Sequence, residues 1–242
     1  MTASATGREV RHQLAPVSVE CERDSGSRGQ GSGSDGQVPG PVLRGKVGDT
    51  FAIELRNLPE VTSSHWHGLR VPAAMDGTEL VQKPVRPGRS FQYRFLLPDA
   101  ATFWCHPHTN ETEQLENGLY GASIVRGPDE PVLDRERVLM LDDVKLDKRG
   151  RLAPFGGLRG KHDGRFGNVR LTKGRADLVL DVAAGQVERW RLVNTSTRRR
   201  TCRGKTLSTC LDRALCASRG CLTIVPAVGC ITATSLSTMR RG

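Results

Sequence analysis

At 242 residues the chain has room for one large domain or two of ordinary size. Hydrophobic residues make up 37%, aromatics 5%, and 27 residues are glycine, which favours short strands and turns; with no run of 18 apolar residues a membrane-spanning helix is excluded, and no membrane partner is expected. The formal net charge of +10 does not point to a nucleic-acid partner: residues 199–242 hold eight Lys/Arg and one Asp, whereas residues 1–198 hold 28 Lys/Arg against 25 Asp/Glu.

Met1 to Val10 contains no apolar h-region, so no signal peptide is legible there. Residues 1–35 are expected to be a flexible segment, chiefly because 22–37 (ERDSGSRGQGSGSDGQ) is rich in Gly and Ser and has no period. Val38-Pro39-Gly40-Pro41 is a stiff turn signal from which order begins. Phe51, Ile53 and Leu55 alternate with Ala52, Glu54 and Arg56, and Phe91, Tyr93 and Phe95 repeat the pattern after the Pro87-Gly88 turn. Further strands are predicted at 63–68, at 102–105 and at 119–125. Evenly spaced strands without a helical period describe a β-sandwich or barrel. A second unit starts near Pro131, with predicted strands at 138–141, at Leu178, Leu180 and Val182, and at 187–193. Beyond about Thr197 neither strand nor helix period continues. An incomplete second sheet would leave an unpaired edge.

Five of the seven cysteines (Cys202, Cys210, Cys216, Cys221, Cys230) fall in the tail, at spacings of eight, six, five and nine with no histidine nearby, which fits no zinc-finger pattern. The histidines are more informative. Four of six form two His-x-His pairs, His65-Trp66-His67 and His106-Pro107-His108. On a strand, residues i and i+2 project from one face, so each pair presents two imidazoles side by side. Neutral imidazole is the commonest protein ligand for copper, zinc, iron and nickel. A cupin-type metal site would need a Glu four residues after the second histidine of a pair; Val71 and Thr112 stand there instead. His12 and His162 lie in polar, unpatterned stretches and are expected to face solvent.

The segments Ser64-His65-Trp66-His67-Gly68-Leu69, Met75-Asp76-Gly77, Thr102-Phe103-Trp104-Cys105-His106-Pro107-His108 and Gly118-Leu119-Tyr120-Gly121-Ala122 resemble the multicopper oxidases, laccase-like enzymes built from cupredoxin domains. The resemblance extends over about residues 36–198. It implies a mainly β, cupredoxin-like Greek-key β-sandwich, with one complete domain at 36–127 and a partial second one at 131–198. It implies a copper cofactor held as a trinuclear cluster: His65 would be a ligand of the type 2 copper, and His67, His106 and His108 ligands of the paired type 3 coppers. Asp76 would be the nearby acid that manages protons, and Trp66 and Trp104 would pack beneath the site. The implied reaction is one-electron oxidation of a phenolic, aromatic amine or metal-ion substrate coupled to reduction of O₂ to water. Relatives of this kind are often periplasmic or secreted.

The departures are equally plain. The family completes its cluster with four more histidines and a type 1 copper held by a His-Cys-His core. Here Cys105 precedes His106, and Pro107 occupies the place a type 1 cysteine would need. Half of the cluster's ligands are present, so the alternative is a catalytically inactive copper-binding fragment. The tail changes abruptly at Arg198-Arg199-Arg200-Thr201-Cys202 into a Cys-, Arg-, Ser- and Thr-rich stretch, and residues 199–242 are read as a non-native, out-of-frame tail.

Overall fold

The computed structural model describes residues 7–24, 27–56, 60–155, 164–183, 185–197, 221–227 and 230–236. The protein is mainly β. In chain order its elements are β1 (Glu9–Leu14), β2 (Pro16–Asp24), β3 (Ser27–Ser34), β4 (Leu43–Lys46), β5 (Thr50–Leu55), β6 (His65–His67), β7 (Phe91–Leu96), β8 (Ala101–His106), α1 (Glu111–Asn117), β9 (Gly121–Arg126), β10 (Arg135–Val144), β11 (Val169–Thr172), β12 (Val187–Asn194), β13 (Cys221–Ala227) and β14 (Cys230–Leu236).

The period-2 pattern of β5 does what it predicts: Phe51, Ile53 and Leu55 are buried while Thr50, Ala52 and Glu54 are half-buried. Strand β5 pairs antiparallel with β7, setting Phe51 opposite Phe95 and Ile53 opposite Tyr93, and β1 lies parallel on its other side. A second sheet runs in the order β4-β9-β8-β6. The two sheets share one core. Phe51, Ile53, Leu55, Tyr93 and Phe95 from the first meet Leu43, Trp66, Phe103, Cys105 and Val125 from the second. Trp66 is fully buried, with its ring 5.1 Å from Tyr93 and 5.2 Å from Phe95. Burial of each such side chain stabilises the sandwich by about 1.5–3 kcal/mol.

The expected flexible segment at 1–35 carries three strands instead. β1 joins the first sheet, and β2 and β3 form an antiparallel ribbon. The Gly/Ser composition that reads as flexibility serves close approach: a Cβ at Gly33 would sit 2.4 Å from the Gln37 carbonyl oxygen. Helix α1 is too short to show an apolar period, and no sequence signal marked it.

The second unit has a sheet in the order β11-β10-β12-β14-β13. Leu178 and Leu180 are half-buried against Leu139 and Trp190, as their alternation requires, but residues 178–182 form no ladder. The unpaired edge expected of an incomplete second sheet is not β12, because β14 pairs with it antiparallel, from Val187↔Thr234 to Trp190↔Ile231. Of the expected out-of-frame tail, residues 199–220, 228–229 and 237–242 lie outside the described residues.

The two units are joined through the outer face of β9. Tyr120, Ala122 and Ile124 pack with Val138, Met140 and Val193. Polar contacts cross the same joint. Arg191, held by Glu136 of its own sheet (2.9 Å), donates across the joint to the Thr102 hydroxyl (2.9 Å) and also pairs with Glu130. Arg165 forks onto Glu116, and the Tyr120 hydroxyl donates to Asp142 Oδ2 at 2.9 Å.

Candidate metal centre

Strands β6 and β8 pair antiparallel with His65 opposite His106, Trp66 opposite Cys105 and His67 opposite Trp104. Residues directly opposite share a face. This register therefore puts His65, His67, Trp104 and His106 on one side and Trp66 and Cys105 on the core side. His108, just past the end of β8, turns back so that its ring lies 4.6 Å from His65 and 5.4 Å from His106. His65, His106 and His108 each offer a ring nitrogen, and these nitrogens lie within 4.8 Å of one another. His67 reaches the same place from its own side, with Nδ1 3.3 Å from His106 Nε2. All four histidines singled out from the sequence thus converge.

Their surroundings keep them aimed. The Ser64 N–H donates to the buried Tyr93 hydroxyl (3.0 Å), which also accepts from Gln82 Nε2 (2.9 Å), so the strand is anchored one residue before His65. The 3₁₀ turn Ala73–Met75 ends at Asp76. Asp76 meets His65 Nδ1 twice, through its backbone carbonyl (3.0 Å) and through Oδ1 (3.1 Å). That approach requires glycine next door: Gly77 has φ +77°, and a Cβ there would sit 2.1 Å from the Ser64 carbonyl oxygen. The His108 N–H donates to Ser63 Oγ (3.2 Å), and His106 Nδ1 bonds the Pro107 carbonyl (2.9 Å).

His106 is buried, and burial, joined by the three neighbouring histidines, lowers its pKa to about 3 against the opposing pull of the Pro107 carbonyl. The ring is therefore neutral at physiological pH, the form that ligates a metal. Two nitrogens bound to one ion at about 2.0–2.1 Å each stand about 3 Å apart, which the His67–His106 pair already approaches. The four imidazoles fit a transition-metal centre of the copper type, with no oxygen-rich cage suited to magnesium or calcium.

Trp66 lies beneath the histidine face as expected, but Trp104 does not. It sits beside the histidines on their own face, stacked on His106 (4.4 Å, 28°) and tilted against His67 (4.9 Å). Its i, i+2 relation to His106 was the available signal. Sequence reasoning also missed Glu111, whose carboxylate lies 3.5 Å from His106 Nδ1 and 3.8 Å from His108 Nδ1. Cys105 points into the core, and burial pushes its thiol up to about 12, so it offers no thiolate to this face. His12, expected in solvent, is half-buried on β1 with its ring 5.2 Å from Phe51, and burial lowers its pKa. His162 lies outside the described residues.

A mainly β, cupredoxin-like sandwich with a histidine cluster on one sheet face defines a class of metalloprotein, and comparison with known proteins narrows it. The multicopper oxidase family model Cu-oxidase_3 matches residues 17–130. The chain is 43% identical over 108 residues to multicopper oxidase MmcO of Mycobacterium tuberculosis, a match covering 44% of this chain and 21% of that protein. It is 42% identical over 147 residues to copper resistance protein A of Escherichia coli, covering 59% of this chain and 24% of that protein. The crystal structure of a multi-copper oxidase from Pseudomonas thermotolerans superposes with a TM-score of 0.73 at 33% identity, covering 78% of this chain and 47% of that one. The chain belongs to the multicopper oxidase family. It spans about a quarter of the length of these curated relatives and about half of that solved structure.

Proposed function

We propose that this chain contributes one half of a trinuclear copper centre in an oxidase that couples one-electron oxidation of a phenolic, aromatic amine or metal-ion substrate to reduction of O₂ to water. The observation that carries this reading is the convergence of four imidazoles, with His67 Nδ1 only 3.3 Å from His106 Nε2. His65 would hold the type 2 copper, and His67, His106 and His108 the type 3 pair. Copper, when bound, supplies the redox chemistry. The chain's own residues hold the imidazoles neutral and aimed, and Asp76, at His65 Nδ1, takes up and delivers protons at the edge of the cluster. The buried face behind the rings, closed by Trp66 and Tyr93, keeps water from the far side. In the same reading, residues 36–127 form one complete cupredoxin domain, 131–198 a partial second one, and 199–242 an out-of-frame tail.

A second reading, a copper-binding half-site without turnover, draws on Cys105: its neutral, core-facing thiol cannot serve as a type 1 ligand. Copper titration and O₂ consumption by the purified chain separate the two. Both readings require copper binding that His106→Ala weakens; turnover abolished by that substitution supports the oxidase, and copper binding without O₂ uptake supports the half-site. Copper binding that His106→Ala leaves unchanged would refute both.

A further inference from the structure

Carboxylates stand at Nδ1 of His65, His106 and His108, and only one of those carboxylates belongs to the expected set. Asp76 Oδ1 lies 3.1 Å from His65 Nδ1. On the opposite flank, Glu111 spans two rings, with Oε1 3.5 Å from His106 Nδ1 and Oε2 3.8 Å from His108 Nδ1. His67 is turned differently, with its Nδ1 facing inward to His106. Wherever a carboxylate stands at Nδ1, that edge is turned away from the cluster and Nε2 becomes the nitrogen turned towards it.

We propose that Glu111 is a positioning residue for the metal centre, holding the proton of His108 on Nδ1 and seconding the same tautomer at His106; this rests on the copper reading above. The two rings differ in how much they need it. His106 Nδ1 already bonds the Pro107 carbonyl at 2.9 Å, so Glu111 is an additional acceptor there. For His108 the backbone contact is made by its N–H to Ser63 Oγ, which fixes the main chain and leaves the ring to be oriented from Nδ1. At 3.5 and 3.8 Å the carboxylate stands at the limit of hydrogen-bond reach of the two neutral rings, and the partly exposed Glu111 side chain can rotate closer when cationic charge enters the cluster.

Helix α1 makes this contact dependable. Gln114 Oε1 accepts from Thr62 Oγ1 (2.6 Å), and Gln114 Nε2 donates to the Val61 carbonyl (2.9 Å), tying the helix to the segment that leads into β6. Two residues on, the buried Glu116 accepts from Arg165 and from the Lys145 N–H (2.8 Å). Glu111 is thus carried by an element locked on both sides. A carboxylate accepting from Nδ1–H raises the basicity of Nε2 and offsets the charge of the bound cations, and removing such partners lowers metal affinity by roughly 10–100-fold.

The test uses the full 242-residue chain, with Cu(II) affinity from competition against a chelator and ¹⁵N NMR of the imidazoles in the metal-free protein. Glu111→Ala is expected to weaken copper roughly 10–100-fold and to move the His108 proton to Nε2. Glu111→Gln keeps a neutral acceptor of the same shape, and is expected to retain the Nδ1–H tautomer with a smaller loss of affinity. Glu113→Gln on the same helix, whose carboxylate bonds Asn110 instead, is the control and is expected to match the parent. Glu111→Ala affinity within about threefold of the parent, with His108 still protonated on Nδ1, would overturn the proposal. If the parent chain itself binds no copper, the copper reading fails, while the NMR comparison still decides whether Glu111 sets the His108 tautomer.

Discussion

Asp142 offers a test of the joint between the two units that does not involve the histidines. Its side chain lies on β10, buried, with Oδ2 accepting from the Tyr120 hydroxyl (2.9 Å) and Oδ1 from the Asp143 N–H (2.8 Å). Burial raises its pKa to about 8 despite those two hydrogen bonds, and the nearby Asp143 and Glu116 charges push the same way. In the unfolded chain the same carboxyl ionises near pH 4. Between pH 4 and pH 8 the folded state therefore binds the extra proton, so stability is fully present below about pH 4 and declines as pH rises towards 8. At about 1.4 kcal/mol per pH unit the loss is about 5 kcal/mol at pH 8 and reaches at most about 6 kcal/mol above it. Asp142→Asn cannot ionise: its oxygen can still accept from the Asp143 N–H, and its amide can donate to the Tyr120 oxygen. The variant should match the parent near pH 4, exceed it by about 1.4 kcal/mol at pH 5 and exceed it by about 5 kcal/mol at pH 8. Urea unfolding at pH 5, 6.5 and 8, followed by tryptophan fluorescence, measures this. If the difference between variant and parent is constant from pH 5 to pH 8, Asp142 is not the group that takes up the proton and the reasoning fails.

Three further substitutions probe what holds the site. Tyr93→Phe strands two buried donors, the Ser64 N–H and Gln82 Nε2, and should lower the urea midpoint by an amount equivalent to about 2–4 kcal/mol; no shift would mean water replaces the hydroxyl. Glu116→Ala leaves the largely buried Arg165 without its carboxylate, though still bonded to the Pro154 carbonyl, and the Lys145 N–H without an acceptor, an expected loss of about 3–5 kcal/mol in the same assay. Gly77→Ala drives a methyl group into the Ser64 carbonyl at a positive φ, which costs at least about 1–2 kcal/mol and should displace Asp76 from His65. A fall in melting temperature with a parallel fall in copper affinity checks that link; unchanged copper affinity would show that the Asp76 contact does not govern the centre.

Much of the first unit was legible because its code is local. A period of two along 51–55 and 91–95 states which side chains point inward whatever the strands pair with, and the same rule places two imidazoles of each His-x-His pair on one face. Where sequence reading failed, the deciding partner was remote. Residues 22–37 look structureless until β2 is laid against β3, and residues 178–182 alternate as a strand would but have no neighbour to complete a ladder.

By itself the sequence determined the residue types of the centre, the face each pair presents and the β character of the chain, since these follow from side-chain chemistry and backbone alternation alone. Only tertiary structure decided that His65 stands opposite His106, that Trp104 lies beside the rings and not beneath them, and that α1 brings Glu111 to His106 and His108. The physical reason is register. A one-residue slip of β6 against β8 would turn Trp66 out to the face that carries His106 and send His65 and His67 inward, and what prevents it is the burial of Trp66 against Tyr93 and Phe95, residues about thirty positions away along the chain.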